Sequence, residues 1–185
     1  MQAVQQAYPQ DPVELWTTDQ HRLGLKPILR RVWSPRGQRP GALVQHRYPW
    51  CYGDAFVPPG SGRTWWLLLP TVSLAAFMMA LAEVAHALGA GQGNPNSPRA
   101  GERRMACEPP GAGACGEPLH FLPPYSPALQ PAARLWPLTN AVLANRHFHD
   151  LDDRQPAQAQ RCLQRQARPE VIEAHTPFHW WPPSA

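Results

Sequence analysis

The residues whose type and spacing most clearly suggest a chemical role are basic and lie in the first third of the chain. Between Gln20 and Gly53 the sequence has seven lysine or arginine residues and no acidic one, with Trp33 and Trp50 interleaved. This pattern is typical of a surface that follows a nucleic-acid backbone, and it fits a solvated loop equally well. The basic residues are Arg22, Lys26, Arg30, Arg31, Arg36, Arg39 and Arg47.

A carboxylate, Asp19, stands just after an apolar stretch that predicts a short buried strand over residues 13–18. Carboxylates at strand ends supply the hard oxygen ligands that Mg²⁺ prefers. A lone aspartate in this position is more often a turn residue, so the strand by itself does not identify a metal site.

Soft metal ligands give a weaker signal than the carboxylate. Cys107, Cys115 and His120 match no usual zinc spacing. The histidine pairs at 147/149 and 175/179 each have a phenylalanine between them, which favours an aromatic packing edge. The four cysteines form no C-x-x-C pair and there is no secretory signal, so we expect reduced thiols in a cytosol.

Twenty-four prolines predict a chain rich in loops and interrupted helices. Residues 48–57 and 63–69 are strand candidates joined by a Pro- and Gly-rich turn at 58–62. Thr64–Ala82 carries no charge, but Pro70 breaks this run and a membrane span is rejected. Residues 73–88 instead predict an amphipathic helix, capped by Thr71 or Ser73. Its inward face is Leu74, Phe77, Met78, Leu81, Ala85 and Leu88.

The composition changes over residues 89–118, where twelve of thirty residues are Gly or Pro. We expect irregular structure there and no strand, because nothing in it would be buried. Residues 119–122 form the next strand candidate, and 132–145 predict a helix with Leu135, Leu138 and Leu143 facing inward. A polar helix capped by Asp150 or Asp152 runs to about residue 166, and 169–174 follow.

The run from Phe121 to Trp136 reads F-L-P-P-Y-S-P-A-L-Q-P-A-A-R-L-W. It resembles the segment that carries the third catalytic acid in mariner-type bacterial insertion-sequence transposases, which are DDE superfamily endonucleases. The stretch around Asp19, the loop at 23–40, the hairpin at 48–69 and the tail at 178–182 are also similar to that family. Residues 89–119 are not.

The resemblance implies an α/β fold: a ribonuclease H-like mixed sheet flanked by helices, with the central strand that carries the second acid missing or damaged. It implies an N-terminal remnant at 1–12 and a first half of the catalytic domain at 13–88. The irregular segment at 89–118 then precedes a second half with its tail at 119–185. Intact relatives have an end-recognition domain ahead of this region, so we expect the chain to begin in mid-protein.

In this family three carboxylates hold two divalent metal ions, Mg²⁺ or Mn²⁺. The resemblance makes Asp19 the first of these catalytic ligands. The second acid is lost near Pro98, and Ala133 replaces the third, so we expect no productive metal binding. The acids available as substitutes lie in the irregular segment with nothing to position them, and they are Glu102, Glu108 and Glu117.

The family function is DNA cleavage and strand transfer in transposition of an insertion sequence, and we expect this copy to have lost it. An alternative is a non-catalytic DNA-binding or oligomerising remnant that interferes with an intact transposase, and a third is a decay product without function. The implied partners are the insertion-sequence ends, with a second copy or an intact transposase, and no membrane. The implied location is the bacterial cytoplasm, at the nucleoid. The candidate DNA contacts are Arg22, Lys26, Arg30, Arg31, Arg36 and Arg39.

Overall fold

A computed structural model describes residues 13–43, 47–88, 104–105 and 129–177. Within these ranges the chain has a mixed α/β fold of five strands and four α-helices. In chain order the elements are β1 (Val13–Glu14), β2 (Thr17–Gly24), β3 (Trp50–Val57), β4 (Trp65–Leu69), α1 (Leu74–Ala87), β5 (Arg104–Met105), a 3₁₀ helix (Ala132–Leu135), α2 (Trp136–Asn140), α3 (Leu151–Gln166) and α4 (Pro169–His175).

The central sheet is an antiparallel arrangement of β2, β3 and β4, in that order. Asp19 pairs with Ala55, and Ala55 pairs with Trp66, which fixes the register across all three strands. The predicted hairpin at 48–69 is confirmed. Its turn needs Gly62, because this residue has φ +71° and a Cβ there would lie 2.8 Å from Pro169 at the start of α4.

The predicted strand at 13–18 is wrong in its bounds. The structure divides it into β1 and β2, and β2 continues to Gly24. Asp19 therefore lies inside a strand and not at its end. The ladder to β3 provides backbone partners as far as the pair of Gly24 with Trp50, so polar side chains do not terminate the strand.

One side of the sheet is covered by α1, as its apolar spacing predicts. Ser73 caps the helix by accepting a hydrogen bond from the Ala76 backbone N–H at 3.0 Å. The buried residues of this layer are Trp16, Phe56, Ala80, Leu81 and Val84. The prediction for Leu74 is wrong: its side chain is 68% exposed, because the stripe that packs on the sheet begins one turn later, at Phe77.

None of the helices in the described part of the chain combines the length and apolar composition that crossing a membrane requires.

A short parallel pair joins β1 to β5, with Val13 opposite Arg104 and Glu14 opposite Met105. The expectation of no strand within 89–118 is wrong at these two residues. Strand pairing uses only backbone N–H and C=O groups, so two residues pair without apolar neighbours in the sequence. The other residues of that segment and the strand candidate at 119–122 lie outside the described residues.

The helix predicted at 132–145 is shorter than expected, since α2 ends at Asn140. Two contacts with residues 28–30 hold the following chain out of the helix. Ala144 forms a parallel bridge with Ile28, and the Asn145 side chain bonds the backbone N–H and C=O of Arg30 at 2.9 and 3.0 Å. Asn145 has φ 57°, a left-handed conformation that asparagine tolerates.

The inward positions of the C-terminal half agree with the sequence. Leu135 and Leu143 are fully buried and Leu138 is partly buried. Asp150 is the N-cap of α3, accepting a hydrogen bond from the Asp153 N–H at 2.8 Å. This choice between Asp150 and Asp152 was open in the sequence.

Asp54 is the least expected core residue. It lies in β3 beside Gln20 of β2, is only 1% exposed, and neither carboxylate oxygen has a hydrogen-bond partner among the described residues. Burial raises the pKa of Asp54; the Gln20 amide opposes this shift and the charge of Asp19 adds to it. A buried carboxyl without partners destabilises the folded state most when it is ionised.

The substitution Asp54→Asn should therefore stabilise the protein, and more so at high pH. Because folding raises the pKa above its ordinary value of 3.8, the penalty is absent below about pH 4 and grows as the pH rises through the raised pKa. We expect a gain of roughly 1–3 kcal/mol at pH 8 and little at pH 4 in urea denaturation. Glu83→Gln on the exposed side of α1 is the control. An equal gain at both pH values would contradict the ionisation argument.

Candidate functional site

The side of the sheet opposite α1 faces the C-terminal helices. Thr17, Asp19 and His21 alternate along β2, so their side chains share this face. The 3₁₀ helix and α2 pack on it through a cluster of buried residues: Ala55, Val57, Ala132, Leu135, Trp136 and Ile172. The predicted first acid thus lies between the sheet and the helix that carries position 133.

Trp136 makes the closest contact with Asp19. Its indole Nε1–H donates a hydrogen bond of 2.6 Å to Asp19 Oδ2. The same ring stacks on His21 with 4.9 Å between centroids and meets Trp66 edge-on at 5.6 Å. Trp136 is 6% exposed, so the carboxylate is held by a rigid, buried donor.

Two amide side chains fix the surroundings of Asp19. Gln130 donates from Nε2 to the Thr18 carbonyl at 2.7 Å, which ties the chain before the 3₁₀ helix to β2. Asn140 Nδ2 lies 3.0 Å from His21 Nε2. Burial lowers the pKa of His21, with Asp19 opposing the shift and Arg154 adding to it. A neutral imidazole accepts the Asn140 amide proton at Nε2.

Arg154 of α3 is a buried charge that the sequence interpretation missed. It is 4% exposed, its charge lowers the pKa of His21, and its Nε has no hydrogen-bond partner in the described ranges. Burial lowers the pKa of Arg154 itself. The signal was present as a stripe at i, i+4 and i+8, since Arg154, Gln158 and Cys162 are the buried residues of this otherwise polar helix.

Ala133 lies one turn before Trp136, partly buried against the same cluster. The structure thus brings positions 19 and 133 to facing elements, whereas Pro98, Glu102, Glu108 and Glu117 lie outside the described residues.

The described residues do not fit a two-metal centre. Among them no group of three His, Cys, Asp or Glu side chains could hold a metal ion. Ala133, the position predicted to correspond to the third acid, supplies no carboxylate, and the Trp136 indole already donates to Asp19 Oδ2.

The candidate DNA contacts are all on the surface. Residues 29–43, called the basic arm below, are exposed throughout and form no helix or strand. Arg30 is tethered, with its guanidinium donating to the Pro137 carbonyl at 3.3 Å. In the part of the chain that the structure describes, no ion pair is formed by Arg22, Lys26, Arg30, Arg31, Arg36 or Arg39.

The structure describes only some of the histidine and cysteine residues considered as metal ligands. Phe148 is 6% exposed and packs with Leu25 and Leu143, while His147 and His149 are exposed, which confirms a packing edge at this pair. Cys51 and Cys162 are free buried thiols, and burial raises the pKa of Cys162 to about 12. Cys107, Cys115, His120 and His179 lie outside the described residues.

The fold has counterparts among solved structures. A Mos1 mariner paired-end complex with Mn has a TM-score of 0.51 at 15% identity, covering 96% of this chain and 60% of that one. A Mos1 transposase paired-end complex with the left transposon end gives 0.50 at 17% identity, covering 93% and 57%. A pre-cleavage Mos1 transpososome gives 0.50 at 17%, covering 89% and 56%. No family model and no curated protein matches the sequence.

The TM-scores show that the chain has a fold that mariner transposases share. The particular neighbours are structures of the Mos1 transposase, and the chain spans about three-fifths of their length. At this level of identity the likeness concerns the fold alone.

The bond between Trp136 and Asp19 makes a quantitative prediction. A double-mutant cycle of Asp19→Ala and Trp136→Phe, measured by urea denaturation, should give a coupling energy of roughly 1.5–3 kcal/mol, because the acceptor is charged. The matched control pairs Asp19→Ala with Trp66→Phe, whose indole N–H bonds Thr64 at 3.0 Å. Coupling no larger than in the control would show that the contact contributes nothing to folding.

Proposed function

We propose that this protein is a derivative of the catalytic domain of a mariner-type insertion-sequence transposase, which binds DNA and does not cleave it. Its sheet corresponds to the ribonuclease H-like sheet of DDE endonucleases, with Asp19 in the place of the first acid. The observation that carries the proposal is the hydrogen bond between Asp19 and Trp136, three residues after Ala133. The bond joins the strand that carries Asp19 to the helix that follows Ala133, which supports the assignment of these two positions to the first and third acids.

The loss of cleavage follows from the carboxylate oxygens that are available to bind metal ions. In-line attack on a phosphodiester in this superfamily uses carboxylates that clamp two metal ions, and each ligand must be placed to within a fraction of an ångström. Here Ala133 supplies no oxygen, and one oxygen of Asp19 accepts the indole proton. One remaining carboxylate oxygen does not organise two ions, so the described residues offer Mg²⁺ or Mn²⁺ no productive site.

The chain's own residues would still position DNA. The basic arm presents its charges without acidic partners in the described ranges, so phosphate groups are free to approach them. We assign this role to Arg22, Lys26, Arg30, Arg31, Arg36 and Arg39, acting at the nucleoid of a bacterial cell.

The catalytic part of the proposal is tested with a supercoiled plasmid that carries the genomic DNA flanking the coding sequence. Incubation with Mg²⁺ or Mn²⁺ should produce no nicked or linear product, and Ala133→Glu should not restore cleavage, because the second acid is still absent. Agarose gels at several time points give the readout. Nicking that disappears in Asp19→Ala would contradict the proposal and would mean that another carboxylate completes the site.

A second function is favoured by the exposed basic arm: interference with an intact transposase, by occupying its DNA ends or by forming mixed oligomers. Neither route needs catalysis. Co-expression with an intact transposase of the same element distinguishes an interfering protein from one without function. An interfering protein lowers the transposition frequency in proportion to its own expression level.

Duplex binding should depend on salt through the basic arm. Each phosphate contact contributes about −0.9 to the slope of log K against log salt concentration, so Arg31→Gln with Arg36→Gln should reduce the slope by roughly two units. Arg168→Gln, an exposed arginine before α4, is the control. Fluorescence anisotropy across a salt series measures the slope. If the double substitution leaves the slope unchanged, the basic arm does not contact the DNA phosphates.

A further inference from the structure

Trp50 is held in an unusual place at the start of β3. It pairs across the sheet with Gly24, and its ring lies directly over that glycine. A Cβ on Gly24 would overlap the six-membered part of the ring. The absence of a side chain at Gly24 therefore sets the position of the indole, which is half-buried.

Two further side chains complete a surface around this ring. The guanidinium carbon of Arg22 lies 4.0 Å from the centroid of the Trp50 ring, within the range of a cation–π contact. The ring of Tyr48 lies 6.5 Å from Trp50 at an angle of 42°. Tyr48 is 67% exposed, so an aromatic face is available to solvent beside a fixed positive charge. We call Arg22, Tyr48 and Trp50 the stacking platform.

We propose that the stacking platform binds one unpaired nucleotide, whose base stacks on the exposed ring of Tyr48 while its phosphate contacts Arg22, which Trp50 holds in place. The inference deepens the proposed function and rests on it, since DNA must reach this side of the protein. It differs from phosphate tracking by the basic arm, because the platform recognises a base by its π face.

The charge of the surroundings favours a nucleic acid over a peptide. No acidic residue occurs between Gln20 and Gly53, so the sequence on both sides of the platform repels basic ligands and attracts phosphates. An unpaired nucleotide fits better than a duplex, because both faces of a paired base are already covered by its neighbours. Stacking on aromatic side chains is independent of sequence, since every base has a π face.

The test compares three fluorescent probes at one salt concentration: a twelve-residue oligothymidylate, a twelve-residue strand of abasic sites, and a duplex. The first two carry the same phosphates and differ only in their bases. The full-length protein should bind the oligothymidylate about tenfold more tightly than the abasic strand. Trp50→Leu and Tyr48→Leu should each remove most of this difference while leaving duplex binding unchanged.

Trp33→Leu is the matched control, because Trp33 is fully exposed in the basic arm and lies outside the platform. Circular dichroism melts of each variant test folding, and the exposed Tyr48 gives a variant that retains the core. Equal affinity for the oligothymidylate and abasic strands would overturn the inference. So would an equal loss in Trp33→Leu, or displacement of the oligothymidylate by a proline-rich peptide.

The outcomes also separate the inference from the proposed function. If the protein binds the duplex but shows no preference for bases over abasic sites, the stacking platform is contradicted and the proposed DNA-binding function stands. If it binds none of the probes, the platform and the proposed DNA-binding function are both contradicted.

Discussion

The hydrogen bond from the Trp136 indole to the Asp19 carboxylate connects the two halves of this fold. One partner lies in β2, at one edge of the three-stranded sheet, and the other at the start of a helix, and 117 positions separate them in the sequence. The same indole stacks on His21 and meets Trp66, so one buried ring fixes the helical layer against the sheet. The Asp19 carboxylate thereby acts as the hydrogen-bond acceptor in this contact between the two layers.

The two faces of the sheet differ in how they accommodate polar groups. Toward the C-terminal helices, Asp19 and His21 have donors in Trp136 and Asn140. Toward α1, Asp54 has no such partner among the described residues and sits beside an apolar cluster. Arg154 is a second buried ionisable group, of opposite charge to Asp54, and its Nε has no partner in the same ranges. A buried ionisable group without a full set of partners destabilises the folded state, so the apolar clusters on both faces have to offset these groups.

Local patterns in the sequence predicted the elements that depend on local physics. The hairpin at 48–69, the Ser73 cap and the Asp150 cap follow from turn and capping chemistry. Contacts distant in sequence decided the rest. α2 stops at Asn140 because Ile28 and Arg30 hold residues 144–145, and β2 extends past Asp19 because β3 pairs with it. The motif singles out Asp19 and Ala133, and their roles stay predictions. It does not identify Trp136 as the partner of Asp19, since a motif gives residue types without their contacts.

The sequence separation of these contacts has a consequence for synthesis in the cell. The strands that carry Asp19, Ala55 and Val57 leave the ribosome well before the helices that bury this face, which begin at Ala132. At an elongation rate of about 5–20 residues per second, the uncovered face persists for on the order of ten seconds. An apolar sheet surface exposed for that time can be bound by chaperones or cleaved by proteases. The yield of folded protein therefore depends on how quickly translation supplies the second half of the chain.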